Sequence, residues 1–243
     1  MSKSNVNEDQ KKKMDKIYPH VPIKGGWEIP RKLFHFSIGF IVLYLYLNGT
    51  DTRDVYPFLT VFLCIVLTGE LLRFSFDWFN DIYCYILGPL MRSSEVNTIN
   101  GVVYYLLGCI IVLYWFPRDI AALSIIYLSW TDPTASICGK LWGKYTWKYK
   151  SGKSLAGSLG AAITGCLVTW IYYHLSPSSA FALSYRTLTS PVPLWLMSIY
   201  GGLVASFSEG VSDCLYKLDD NFTIPVMSAI LLWIPLIGLR LGY

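Results

Sequence analysis

Apolar residues run through this chain in long blocks, at 33–47, 55–72, 101–116, 119–137, 155–175, 192–207 and 223–241, separated by short polar segments. The blocks are neither alternating, as in a half-buried strand, nor confined to a narrow stripe, so each predicts a helix that is apolar all round. Most approach the ~20 residues that a helix needs to cross the hydrocarbon core of a bilayer. The blocks at 33–47 and 101–116 are shorter and must borrow flanking residues or lie where the membrane is thin. The pattern predicts an all-α, polytopic membrane bundle of about seven transmembrane helices. Segment 76–90, FDWFNDIYCYILGPL, stands apart because it carries Asp77, Asn80 and Asp81 and ends in Gly88-Pro89. It predicts an interfacial or re-entrant helix.

Composition agrees: 53% of the 243 residues are hydrophobic and 15% are charged, against about 25% charged in soluble domains. Nine Trp and eighteen Tyr, many near block ends, suit anchoring at the membrane interface. Residues 1–26 are polar and lysine-containing with no apolar core, which predicts a disordered cytosolic tail rather than a signal peptide. Residues 27–243 form the expected membrane-embedded domain. The six cysteines are scattered without a C-x-x-C pair and read as small buried hydrophobes.

Charge orients the bundle. With the N-terminus in the cytosol and seven crossings, sixteen of the twenty Lys and Arg fall on the cytosolic side, a strong positive-inside bias. The first, third, fifth and seventh spans then all begin in the cytosol. Their amide ends carry partial positive charge there and suit a phosphate-bearing ligand.

The candidate chemistry gathers at the same face. Asp132 lies thirteen residues after Asp119, so the helix has risen about 20 Å by that point. A carboxylate inside the membrane costs on the order of 2.5–3.5 kcal/mol and marks a functional position by default. It reads as a divalent-metal ligand or a base for a hydroxyl, or else as an incidental Asp beside a Pro133 kink. Ala135, Ser136, Gly139 and Gly143 clear space beyond it. The run SGKS at 151–154 resembles a phosphate-binding loop but lacks its first glycine, because position 147 is Trp. Ser154 instead suits a helix N-cap, with Gly157 and Ser158 admitting a phosphate and Lys153 adding charge. Lys140, Lys144, Lys148 and Lys150 read chiefly as retention charges facing anionic lipid.

In WEIPRKLFH, 27–35, Pro30 opens the first span, Arg31 and His35 share a face, and Lys32 and Glu28 lie beside them. Glu70 and Arg73 read as a structural pair at the end of the second span. Arg92, Glu95 and Asn100 belong either to a helix-entry loop or to a headgroup pocket. In SEGVSDCLYKLDDNFTIP, 208–225, Glu209, Asp213, Asp219, Asp220 and Asn221 invite a counter-charge, one of the two adjacent aspartates being a plain cap. Magnesium is economical, since it binds through one or two carboxylates plus substrate phosphates. Asp132 and the small-residue helix start would face Arg31, Lys32 and the 209–221 acids across a shared cytosolic pocket, one wall binding metal and the other phosphates, the equipment of phosphoryl transfer.

EIPRKLFH, SWTDPTASICGKLWGK, KSLAGS and SEGVSDCLYKLDDNFTIP, in this order and spacing, resemble the CTP-dependent lipid kinases of the endoplasmic reticulum. These include dolichol, phytol and fungal diacylglycerol kinases, the last being most similar over nearly the whole chain from residue 27. The resemblance implies transfer of the γ-phosphate of CTP to diacylglycerol, with magnesium or another divalent cation such as calcium. It also implies residence in the endoplasmic reticulum and nuclear envelope membrane. It implicates Arg31, Lys32, Asp132, Gly139 and Lys153–Ser158, then Glu209 and Asp219–Asn221. Pro133 departs from the small residue associated with its position. Alternatives are a polyprenol or phytol kinase, a cytidylyltransferase making CDP-diacylglycerol, and a transporter, which the lack of an internal repeat disfavours. No nucleic-acid partner is implied.

Overall fold

A computed structural model describes residues 21–22, 26–149, 152–176, 184–211 and 218–242. All regular elements among them are helical: α1 (Ile29–Leu47), α2 (Thr52–Ser75), α3 (Asp77–Leu87), α4 (Gly101–Trp115), α5 (Arg118–Trp142), α6 (Leu155–Leu175), α7 (Leu194–Val211) and α8 (Asp220–Trp233). A single 3-10 turn, Gly88–Leu90, follows α3, and α8 ends in a π-helical turn, Ile234–Gly238. Among the described residues three helices are long and apolar enough to cross a membrane: α2, α6, and α8 with its π-helical turn. A shorter apolar helix is α4. Helix α1 opens at Ile29 and so takes in the IPRK residues, 29–32, as the extra length its apolar block lacks. Helix α3 has 11 residues, a rise of about 16 Å, well short of the ~30 Å hydrocarbon core. Its Trp78, Ile82 and Tyr85 form one exposed apolar face.

The chain divides into two compact units, one comprising the residues through Phe34 with Phe62–Val103, the other His35–Val61 with Tyr104–Tyr243. In the first, a buried ion pair locks the 91–100 segment. Arg73 Nε and Nη2 donate to the two Glu70 oxygens, each at 2.8 Å. The same guanidinium donates to the carbonyls of Val96, at 3.1 Å, and Thr98. The Asn100 N–H donates to Glu70 Oε2 at 3.0 Å, and Asn100 Oδ1 caps the Val102 amide. Glu95 closes a turn by accepting from the Arg92 N–H at 2.9 Å. These contacts shape the segment into a loop that leads into α4.

The second unit is built around α5, buried without interruption from Asp119 to Ser129. Helices α6, α7 and α8 pack against it and one another. Within a bilayer such association rests on close van der Waals contact, because lipid is as apolar as the helix surfaces. Small residues provide it. A Cβ on Gly202 would come within 2.5 Å of the Ala162 carbonyl, and one on Gly165 within 2.6 Å of Ala205 Cβ. Tyr127 and Thr169 join their hydroxyls at 2.5 Å in this core, and Thr169 donates onward to the Gly165 carbonyl. At the start of α5, Asp119 accepts from both the amide and the hydroxyl of Ser184 at 2.7 Å. Arg118 donates to the Tyr46 carbonyl.

Candidate active site

Lys153 is delivered by a tight hairpin. The Leu155 amide donates to Trp147 O and the Tyr149 amide to Lys153 O, both at 2.8 Å, and Lys148 bridges Ser154. Gly152 turns the chain at φ 92°, in the left-handed region that favours glycine. Within the SGKS run, Gly152 thus makes a turn and Lys153 lies on the return arm.

The Lys153 ammonium stands 3.1 Å from Glu209 Oε1 on α7 and 3.0 Å from Asp220 Oδ1 on α8, and also donates to the Glu209 carbonyl. Burial alone would lower the lysine pKa, but Asp220 and Glu209 outweigh it and raise it above the ordinary lysine value. Asp132 on α5 is an electrostatic neighbour of Glu209. Four parts of the second unit thus bring Asp132, Lys153, Glu209 and Asp220 together. Acids and a base intermingle at this point.

The two adjacent aspartates divide their work. Asp219 caps α8, accepting from the Asn221 amide at 2.9 Å, whereas Asp220 faces Lys153. Asp213 lies outside the described residues. Among the described residues no three His, Cys, Asp or Glu side chains form a ready-made metal site; Asp219 serves as a cap, and the Lys153 ammonium stands between Glu209 and Asp220. Asp132, Glu209 and Asp220 still fit a magnesium ion that needs only one or two carboxylates besides phosphate oxygens.

Ser154 is the N-cap of α6, accepting from the Gly157 amide at 3.3 Å. The remaining amides of the first turn are engaged too. Leu155 donates to Trp147 O, Ala156 to Thr146 Oγ1 and Ser158 to Ser154 O. The chain's own acceptors thus fill the first-turn amides of the helix start where Gly157 and Ser158 were expected to admit a phosphate. The glycines have a packing reason. A Cβ on Gly157 would lie 3.0 Å from the Ala135 carbonyl, and one on Gly139 or Gly143 would press on Ser154 Oγ at 3.2 or 2.8 Å. Ser158 accepts from Ser206 Oγ through its carbonyl at 2.9 Å.

Lys140, Lys144 and Lys148 are exposed, interleaved with exposed Trp142, Tyr145 and Trp147. That alternation suits a membrane surface. Helix α1 meets α5 where Trp130 Nε1 donates to the Phe36 carbonyl at 2.9 Å and its ring covers Gly39. His35 and Asp132 each lie within two residues of this contact, and His35 is buried edge-on to Tyr105, with ring centroids 5.3 Å apart. In the first unit, Arg31 pairs with Glu28 at 3.0 Å and Lys32 donates to Trp27 O at 2.8 Å. Sequence reasoning missed Thr146, Trp130 and Tyr105. A cap ten residues upstream and an indole reaching a neighbouring helix leave no local signal.

No protein-family model matches the chain, and no solved structure matches it. It is 40% identical over 210 residues to CTP-dependent diacylglycerol kinase 1 of Saccharomyces cerevisiae, covering 84% of this chain and 71% of that protein. The Schizosaccharomyces pombe protein of the same name is 41% identical over 207 residues, covering 85% and 93%. A probable chloroplastic phytol kinase 3 of Glycine max is 26% identical over 212 residues, covering 83% and 61%. At this identity and coverage, the chain belongs to the CTP-dependent diacylglycerol kinase family.

Proposed function

We propose that this protein transfers the γ-phosphate of CTP to the hydroxyl of diacylglycerol, giving phosphatidic acid and CDP. The observation that carries the reading is the meeting of Asp132, Lys153, Glu209 and Asp220, in a chain so similar to kinases of that name. In the reaction the hydroxyl oxygen bonds to the γ-phosphorus, the bond from that phosphorus to the β-phosphate oxygen breaks, and the hydroxyl proton leaves. Such chemistry rests mainly on positioning and charge neutralisation.

Lys153 is the group for the phosphates: it is held charged, and its hairpin sets it at the mouth of α6. Asp132 is the group for the hydroxyl, orienting it and accepting its proton at a carboxylate oxygen. Glu209 and Asp220, with Asp132, would hold magnesium, which supplies neutralisation of the phosphate oxygens when bound. His35, one helix away, helps line the acceptor side. Arg31 and Lys32 remain positions needed for activity. Lys140, Gly139, Ser154, Gly157 and Ser158 shape the approach to Lys153. We place seven spans in the membrane of the endoplasmic reticulum and nuclear envelope, with the N-terminus and this site cytosolic; the positive-inside bias supports that orientation.

The test is purified protein in mixed micelles with labelled CTP and a panel of diacylglycerol, dolichol and phytol. Diacylglycerol should be phosphorylated with magnesium, and far less from ATP. Asp132→Ala should abolish turnover without loss of membrane insertion; normal insertion with undiminished turnover would remove Asp132 from the mechanism. Preference for phytol would instead favour the activity named for the plant relatives.

A further inference from the structure

The second unit contains a cavity of about 180 Å³ that phosphate transfer does not use, walled by α1, the first turns of α2, α4 and α5. Ile38, Tyr105 and Ile125 line one end, Tyr46 and Arg118 the other, and Cys109 and Ala122 lie between. The lining is almost wholly apolar. An apolar cavity of roughly 150 Å³ stays dry and takes organic guests, so this one suits hydrocarbon rather than water.

Its position relates it to the candidate site. Ile125 precedes Asp132 by seven residues on α5, about 10 Å along the helix. Ile38 lies one turn beyond His35, and Tyr105, which contacts His35, lines the same end. The cavity therefore begins below the segment where the acceptor hydroxyl would sit and runs away from it along the helix axes. Ile41 lines it while remaining 55% exposed, so the space opens sideways on the helix surface. A lipid can enter from the bilayer without passing through the polar site.

We infer that this cavity receives the distal part of one acyl chain of the diacylglycerol substrate, and so takes part in acyl-chain selection. The inference rests on the kinase reading above. With the glycerol hydroxyl at Asp132, the first ~10 Å of an acyl chain spans the distance to Ile125. Only the carbons beyond that enter the cavity. A short chain ends near its mouth, and a long one fills it. Selectivity at this site is thus a matter of chain length, separate from recognition of the head.

The experiment compares kcat/KM for dioleoylglycerol and dioctanoylglycerol in the full-length protein with CTP. Ala122→Leu and Cys109→Leu fill the cavity from two walls. Each should lower turnover of the long-chain substrate about tenfold or more, the scale of a methylene misfit in an apolar pocket, and leave the short-chain substrate within about twofold. Leu45→Ala widens the cavity without introducing a clash and should shift the ratio the other way, so the inference stays testable if a filling variant does not fold. Ile163→Phe, on the exposed surface of α6, should leave the ratio unchanged. Equal losses on both substrates, or an unshifted ratio in folded variants, would mean the cavity holds only bulk lipid or detergent and would overturn the inference alone. No turnover of either diacylglycerol by the unsubstituted protein would remove the kinase reading, and this inference with it.

Discussion

Replacing Lys153 by Met should produce two separable losses. The ammonium faces carboxylate oxygens at 3.1 and 3.0 Å. At an effective dielectric constant of about 20, each contact amounts to roughly 5 kcal/mol of Coulomb energy before desolvation. Truncating one partner of a buried ion pair costs about 3–5 kcal/mol. The Lys153 side chain is 17% exposed, and solvent screening brings the expected cost to about 2–3 kcal/mol. For a chain of this length that lowers Tm by roughly 4–10 °C. The second loss is catalytic, about 100- to 1000-fold in kcat/KM for CTP, the scale set by removing one charge-stabilising donor. Adding Asp220→Asn relieves the carboxylate repulsion left behind. The double variant should recover much of the melting temperature and none of the activity. Thermal unfolding in detergent, followed by a fluorescent probe of cysteine exposure, reads the first loss, and labelled-CTP turnover the second. A Lys153→Met protein that melts within a degree of the parent and keeps turnover within about threefold would refute the ion-pair geometry and the phosphate role together.

Other outcomes follow from the same geometry. Gly202→Ala sets a methyl 2.5 Å from the Ala162 carbonyl and should destabilise by about 1–3 kcal/mol; Gly210→Ala, where a Cβ meets nothing within 4 Å, should be neutral or slightly stabilising in the same melting assay. Gly152→Ala forces φ 92° on a residue with a side chain, at about 1–2 kcal/mol, and should raise KM for CTP more than it lowers Tm. The raised Lys153 pKa fixes an alkaline limit: the folded value exceeds the unfolded one, so its stabilisation is complete below the ordinary lysine pKa and is lost as pH rises through the folded value. Melting followed upward from pH 9 should show that limb in the parent and a weaker one in Lys153→Met. Arg73→Gln leaves Glu70 buried without its guanidinium, costs about 3–5 kcal/mol, and should make the 91–100 segment the first site of limited proteolysis.

Much of this organisation was legible in the residues. Long apolar blocks predicted helices, and the polar interruptions in 76–90 foretold a helix too short to cross. Ser154 and an acid before α8 were readable as caps because N-caps act within three residues. Asp132, Glu209 and Asp220 stood out through the cost of carboxylates in an apolar chain. What escaped were relations between distant segments. A glycine is silent about whether its bare side faces a ligand or a neighbouring backbone, so Gly139 and Gly157 read as space for phosphate when they bring α5 and α6 into contact. The amides of α6 looked available because Thr146 and Trp147, which fill two of them, arrive by a hairpin whose register local pattern does not reveal. Lys153 read as added charge for a phosphate, with no local sign that it stands between Glu209 and Asp220.

A lysine ammonium offers three N–H donors, and Glu209 Oε1, the Glu209 carbonyl and Asp220 Oδ1 are among the acceptors that surround that of Lys153. An anion arriving at this cation therefore competes with carboxylate oxygens already in place. A carboxylate so displaced then needs a new positive neighbour, which a divalent ion travelling with the nucleotide would provide. If a divalent cation accompanies the nucleotide as proposed, binding of either should tighten in the presence of the other.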